Sequence, residues 1–471
     1  MGAHSVSIIL SVVIAYIVLT VLLSLWTKKF TSTSLRFMTG GRDMGILVIG
    51  VLLMSEFIGT AATMGTAEAA FAKGISAAWN LVSMCLAFIL FAYLMASRFQ
   101  RLGEYTISGA VATRYGEKVR LMTSLIMIYA LLVVNISMYV GGAATIATIL
   151  HLPTYMGILI TGAVTVLYVA IGGIKGVAYT NLIHASIKYF GLIITTVVAL
   201  QFSGGSLTHL REVMPPAYFS LTGVGLATII AWTIGNIGAV FSTQYVIQAI
   251  CAIKDEHKAR KASVLAGVLM IPVGLMSAFI GIAAKYLYPQ FKGVSAIPSL
   301  AARMDPWFGG LVIAGLVAAV FGTVSASTLG STALVMKDFY VPLLKPGEKH
   351  TLIATRLLSI GIGLLPIPFA MLMPGVLKTI FFARALRTSI AIVAICLFFA
   401  PRFSSGRGAF WGLLLATLGA TGWFLAGNPL GIDNIYVAAA IPLLVMGVDH
   451  MLKGAGSGPA VAQKIKGAGA Q

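Results

Sequence analysis

An all-α membrane protein of about thirteen transmembrane helices is the fold class this sequence predicts, and three observations predict it. Of 471 residues, 59% are hydrophobic and only 10% are charged, against about 45–50% and about 25% in soluble domains. The apolar residues form uncharged runs of roughly 18 or more, the length that crosses a bilayer. Gly is abundant, at 51 residues, as suits helices that pack closely or break inside lipid. A soluble core cannot absorb this composition, which excludes a water-soluble enzyme. Cys85, Cys251 and Cys396 sit in apolar stretches and form neither a metal spacing nor a disulfide framework.

In chain order the expected spans are 6–26, 45–71, 77–97, 121–150, 155–172, 178–202, 223–250, 263–287, 308–336, 352–373, 376–399, 409–426 and 435–451. No positive charge precedes the first, so it reads as a true span rather than a signal peptide. The longest polar connections are 98–120 and 251–261, too short for a soluble domain. Residues 1–452 therefore read as one polytopic domain, and the Gly/Ala-rich stretch 453–471 as a flexible cytoplasmic tail.

Basic residues orient the spans. Of the 32 Lys and Arg residues, 22 fall on one side, in connections such as Lys28–Arg42, Arg98–Arg120 and Lys254–Lys261. Five fall on the other: Lys73, Arg211, Lys292, Arg303 and Lys378. The richer side is expected to be cytoplasmic, with the N-terminus outside and the C-terminus inside a bacterial-style inner (plasma) membrane. The net charge of +19 is then topology, and no nucleic-acid partner is expected. Membrane lipids and a small solute are the partners; the oligomeric state is left open.

Two spans carry flaws. In the second, Ser55-Glu56-Phe57-Ile58-Gly59-Thr60 puts a carboxylate and small polar residues at mid-membrane. In the seventh, Gly235-Asn236-Ile237-Gly238 is followed by Ser242-Thr243-Gln244. Breaks are expected at 55–60 and 235–242. Broken backbone in lipid is tolerated where it lines an enclosed cavity. Two breaks five spans apart point to an inverted-repeat transporter with its site at the breaks. The competing reading is that these residues only permit close packing.

Several motifs resemble the solute:sodium symporter family. They are Gly40-Gly41-Arg42, Gly103-Glu104-Tyr105, Gly172-Gly173-Ile174-Lys175-Gly176-Val177 followed by Tyr179-Thr180, Gln244-Tyr245-Val246-Ile247-Gln248, and Ala318-Ala319 through Met336-Lys337-Asp338. The resemblance covers nearly the whole chain. It implies a LeuT-like core of two inverted five-helix repeats, about 40–203 and 220–401, flanked by helices 6–26, 409–426 and 435–451. It implies symport of a small solute by alternating access, with sodium as the coupling ion and no other cofactor.

The family's sodium site, carried onto this chain, falls on the carbonyls of Ser55, Ile58 and Ala319 and on the hydroxyl positions Gly322 and Thr323. Thr323 supplies a hydroxyl, but Gly322 cannot. Thr180 is followed by Asn181 where relatives that rely strongly on sodium often have Asp. Asn181, His184 and Lys188 share one helical face, and Lys188 lies about 10 Å into its span. A charged Lys there costs about 2.5–3.5 kcal/mol unless paired. In some sodium-independent relatives of the fold, a Lys on this core helix replaces the ion. Proton-coupled or cation-independent transport, with Lys188 in the ion's place, therefore stands as an alternative.

The expected solute contacts are Glu56, Phe57, Gly59, Thr60, Asn236, Phe241 and Gln244. Asn181, His184, Lys188, Glu68, Arg384 and Arg387 complete an intramembrane charge network. Two carboxylates against three cations leave one positive charge, which a small organic anion such as a monocarboxylate would balance. A cation held by Glu56 is the rival. No residue set for catalysis is present, so no catalytic residue is expected. A transporter-like sensor remains a reading of another class.

Overall fold

The computed structural model describes residues 3–27, 44–290, 292–372, 375–403 and 405–453; for residues 3, 27, 164–173, 175 and 453 the backbone alone is described. Gly40-Gly41-Arg42, the basic run Lys28–Arg42 and the tail beyond Lys453 lie outside these residues.

All regular structure among the described residues is helical. Following the chain, α1 is Ala3–Thr27, α2 Ile46–Phe57, α3 Thr66–Lys73, α4 Trp79–Leu94, α5 Glu117–Leu150, α6 Thr154–Phe202 and α7 Leu226–Ser242. Then come α8 (Gln244–Cys251), α9 (Glu256–Leu287), α10 (Pro306–Val335), α11 (Glu348–Leu364), α12 (Val376–Phe399), α13 (Gly406–Leu425) and α14 (Asn434–Lys453). Local chemistry sets several ends. Asp255 caps α9 by accepting from the Lys258 amide (2.9 Å), and Asp305 caps α10, which opens on Pro306.

Ten helices among the described residues are long and apolar enough to cross a membrane, eleven if the bent pair α7/α8 counts as one. The thirteen expected spans are thus not reproduced as thirteen long helices. The second is divided by its break, leaving the short apolar helix α2. The fifth and sixth belong to one helical run, α6, of 49 residues. Straight, such a helix would extend about 73 Å. Its two parts nevertheless meet neighbouring turns of α10: Gly142 lies against both Thr161 and Val320, and Gly322 lies against Lys188. Thr161 and Lys188 would be about 40 Å apart along a straight helix, so the two parts are not collinear and each passes the middle of the protein.

At the centre, α10 packs on α6, α5 and α1, while α12 packs on α7, α5 and α14. These two helices are the most deeply buried of the spans, as expected of elements that flank the breaks rather than face lipid.

Candidate functional site

The first helical break falls where the sequence places it. Helix α2 ends at Phe57, Ile58 and Gly59 leave the helix, and a turn of π-helix at Ala61–Gly65 leads into α3. Such turns release carbonyls from the usual ladder. The second break lies at Thr243, one residue beyond the expected window, with α7 and α8 bent by 47°. Gly235 and Gly238 are helical instead. A Cβ on Gly238 would fall 2.2 Å from Thr388 Oγ1, so this glycine serves close packing against α12.

At the first break two freed carbonyls, those of Ser55 and Glu56, already have partners. The Lys188 ammonium donates to the Ser55 carbonyl (2.7 Å) and to Ser55 Oγ (2.9 Å). Ser55 Oγ donates to Asn181 Oδ1 (2.5 Å). A Cβ on Gly322 would lie 2.9 Å from Lys188 Nζ and 2.8 Å from Asn181 Oδ1, so the missing side chain makes room for this cluster. Thr323 Oγ1 donates to the Glu56 carbonyl (2.7 Å) rather than to its own helix, and not to Ser55 or Ile58. Ile58 is the first residue of the break, and Ala319 is buried one turn before Thr323.

A narrow cavity of about 20 Å³ lies between the first break and the start of α8, lined by Glu56, Phe57, Gly59, Ala61, Met138, Tyr245, Thr323, Ile380, Arg384 and Arg387 among others. Glu56, Arg384 and Arg387 are each at most 3% exposed. Arg387 donates to Thr243 Oγ1 (2.9 Å) and to the Ala383 carbonyl (3.1 Å). Arg384 donates to Asn80 Oδ1 (2.8 Å) and lies over the Phe381 ring. Among the described residues, Glu56 Oε2 and Arg384 Nε have no hydrogen-bond partner. Buried polar atoms are normally satisfied, which makes these two the unmet polar groups of the cavity.

Other expected contacts lie elsewhere. Asn236 donates to Ser83 Oγ (2.7 Å) and the Asn80 carbonyl (2.8 Å), bracing α4 outside the cavity. Phe241 packs edge-on against Phe91. Gln244 holds the loop before Ile107, accepting from its amide and donating to the Tyr105 carbonyl. Thr60 Oγ1 meets Met138 Sδ. His184 turns from Lys188 toward α1, with its Nδ1 2.7 Å from the Tyr16 hydroxyl. Glu68 is half-buried on α3 and packs against Gly293. The expected network of two carboxylates and three cations is therefore divided. Among the described residues, Glu56, Lys188, Arg384 and Arg387 form no ion pair within 4 Å. Tyr245, Asn80, Tyr16 and Thr243 were not anticipated, because their partners lie far along the chain.

Toward the Lys-rich side the cavity is closed. Lys337 pairs with Glu104 (2.5 Å) and bonds Thr106 (3.1 Å). Asp338, 4% exposed, accepts from Arg120 Nε (2.8 Å), Ser108 (2.5 Å) and Ser124. Burial first, then the Asp338 and Glu104 charges, push the Tyr105 phenol up to about 12, so it stays protonated.

Broken helices around an enclosed, charged cavity define a secondary transporter. The chain matches the sodium:solute symporter family over residues 37–416 and belongs to it. It is 24% identical over 372 residues to the sodium/proline symporter of Escherichia coli (strain K12), covering 73% of this chain and 72% of that one. To the high-affinity proline transporter PutP of Bacillus subtilis (strain 168) it is 23% identical, covering 74% and 78%. To the sodium/glucose cotransporter of Vibrio parahaemolyticus it is 25% identical, covering 73% and 70%. Its fold is similar to a substrate-bound, outward-open Na+-coupled sialic acid symporter, with a TM-score of 0.82, 16% identity and coverage of 94% and 98%. The nucleobase-cation-symport-1 transporter Mhp1 follows at 0.62 and 16%, covering 91% and 97%. The protein is thus a LeuT-like symporter, not an enzyme.

Proposed function

We propose that the protein carries a small carboxylate-bearing solute, such as a monocarboxylate, across the inner membrane by alternating access, coupled to sodium, with its N-terminus outside. The observation that carries the solute class is the cavity itself. Buried Arg384 and Arg387 offer guanidinium donors to a carboxylate, and Arg384 Nε has no hydrogen-bond partner among the described residues. Glu56 Oε2, on the same cavity, can take an ammonium if the solute has one. Two relatives are named for proline, which carries both groups. Family membership supports sodium, and Thr323 at the first break supplies one hydroxyl for it.

A second reading rests on a specific observation. The Lys188 ammonium bonds the Ser55 carbonyl, one of the oxygens a sodium ion would use. In this reading Lys188 takes the ion's place and the proton gradient drives transport.

Uptake of a panel of labelled monocarboxylates and proline into proteoliposomes tests both. Saturable uptake driven by a sodium gradient at equal pH supports sodium symport. Uptake driven by a pH gradient in sodium-free buffer supports the second reading. Transport of sugars but of no carboxylate would overturn the solute class.

A further inference from the structure

Helix α1 carries one buried stripe. Ile9, Val13, Tyr16, Thr20 and Ser24 recur at helical spacing and are buried, while Ile14, Val18, Leu19 and Leu22 on the other face are exposed. The stripe lies on α10 and α6. At its middle, the Tyr16 ring stacks on Phe321 of α10, with centroids 6.3 Å apart and planes 24° apart. The Tyr16 hydroxyl lies 2.7 Å from His184 Nδ1 on α6, and His184 meets Phe321 edge-on at 6.4 Å. Three buried rings from three helices thus close on one another. No water inside the bilayer competes for the Tyr16–His184 bond. Both partners of Tyr16 stand next to the first break. Phe321 precedes Gly322 and Thr323, and His184 lies one helical turn before Lys188 on the same face.

We propose that Tyr16 is a positioning residue for the coupling site: by holding His184 it fixes the turn of α6 that sets the Lys188 ammonium on the Ser55 carbonyl. Tyr16 does not line the central cavity, so its effect passes through α6 rather than through contact with solute or ion. A helix carries a displacement of His184 to Lys188 because successive turns are tied by main-chain hydrogen bonds. The Lys188 bonds to Ser55, at 2.7 and 2.9 Å, weaken steeply once their geometry is disturbed. A helix outside the broken-helix core thereby helps to set the balance between amine and ion. The inference rests on the reading that the coupling ion, or the amine in its place, acts at the first break.

Thermal melts of the purified full-length protein test it, with sodium exchanged for potassium at constant ionic strength. The readout is the sodium concentration that gives half of the full stabilisation. Tyr16→Phe keeps a ring on Phe321 and removes only the hydrogen bond. With the amine held less firmly, half-maximal sodium is expected to fall about three- to tenfold, the worth of one interhelical hydrogen bond in lipid. Where wild type shows no sodium response, the variant should acquire one. His184→Leu removes the same bond from the other side and should act alike, which keeps the test decisive if one variant fails to fold. In a Lys188→Ala background, Tyr16→Phe should change nothing further. A lower melting temperature with half-maximal sodium as in wild type marks a purely structural tie and overturns the proposal. An equal shift with and without Lys188 overturns it as well, because Tyr16 then acts by another route. If Lys188→Ala itself leaves the sodium response unchanged, the reading of the first break fails and this inference with it. If Lys188→Ala alters the response and Tyr16→Phe does not, this inference alone fails.

Discussion

The two helix breaks are not equivalent, although each is held by a cation. At the first, between Phe57 and Thr60, Lys188 reaches across from α6 and bonds the main chain at Ser55. A free cation would want that same carbonyl, so the amine and a bound ion compete. At the second, Arg387 reaches from α12 to the side chain of Thr243, and Ser242 Oγ donates back to the Arg387 carbonyl (2.8 Å). That guanidinium also lines the cavity. One break is thus suited to a cation and the other to an anion. The difference lies in where the anchoring cation bonds: on the oxygens freed by the break, or beside them.

Substitutions at the two anchors break this comparison most directly. Arg387→Ala is expected to lower uptake efficiency the most, by roughly 10–100-fold, the worth of a charged hydrogen bond of about 1.5–3 kcal/mol. Arg387→Lys should recover only part of it, because an ammonium cannot bridge Thr243 and a solute with one planar fork. Unchanged uptake in proteoliposomes would remove Arg387 from the solute site.

Lys188→Ala should act on the ion rather than the solute. If the amine stands in for the ion, pH-driven uptake in sodium-free buffer should fall about tenfold or more. If pH-driven uptake is kept in full, Lys188 has no part in coupling. Adding Gly322→Ser to Lys188→Ala should sharpen the contrast, since the serine hydroxyl enters the space the amine leaves. Half-maximal sodium for the double variant should then lie several-fold below that of Lys188→Ala alone.

Smaller effects are expected further out. Thr323→Ala removes one bond to the Glu56 carbonyl, worth about 0.5–1.5 kcal/mol. If sodium binds at the first break, half-maximal sodium should rise about 2–10-fold; an unchanged value would take Thr323 out of the ion site. Gly238→Ala belongs to packing alone. Its Cβ would meet Thr388 Cα at 2.7 Å, and overpacking costs about 1–3 kcal/mol. A thermal melt should show lower stability, with sodium dependence as in wild type. Altered ion dependence instead would restore Gly238 to the break.

Much of the fold was legible because lipid writes it into long apolar runs. The span expected at 376–399 is Val376–Phe399 in the structure, and the first break was read from a carboxylate beside Gly59. The second break was misplaced because Gly235 and Gly238 carry the same local signal whether they interrupt a helix or admit a neighbour. Only Thr388, about 150 residues away, decides between the two. The same holds for the site. Lys188 beside Gly322 was inferred through the family resemblance, but Asn80 meets Arg384 across 304 residues, and no local pattern carries such a pairing. Asn236 misled in the opposite sense: a polar residue near a break need not face the cavity.

The closed side of the protein has a consequence for leakage. Asp338 is held by two hydroxyls and a guanidinium drawn from two different segments, Ser108 from one, Ser124 and Arg120 from another. Water cannot replace these partners one at a time without leaving a buried carboxylate half-satisfied, which is the least stable arrangement of all. The seal is therefore expected to be either made or fully open, with little population between. A carrier built this way keeps ions from slipping through during the pauses of its cycle, and the membrane's stored gradient is drained only by turnover.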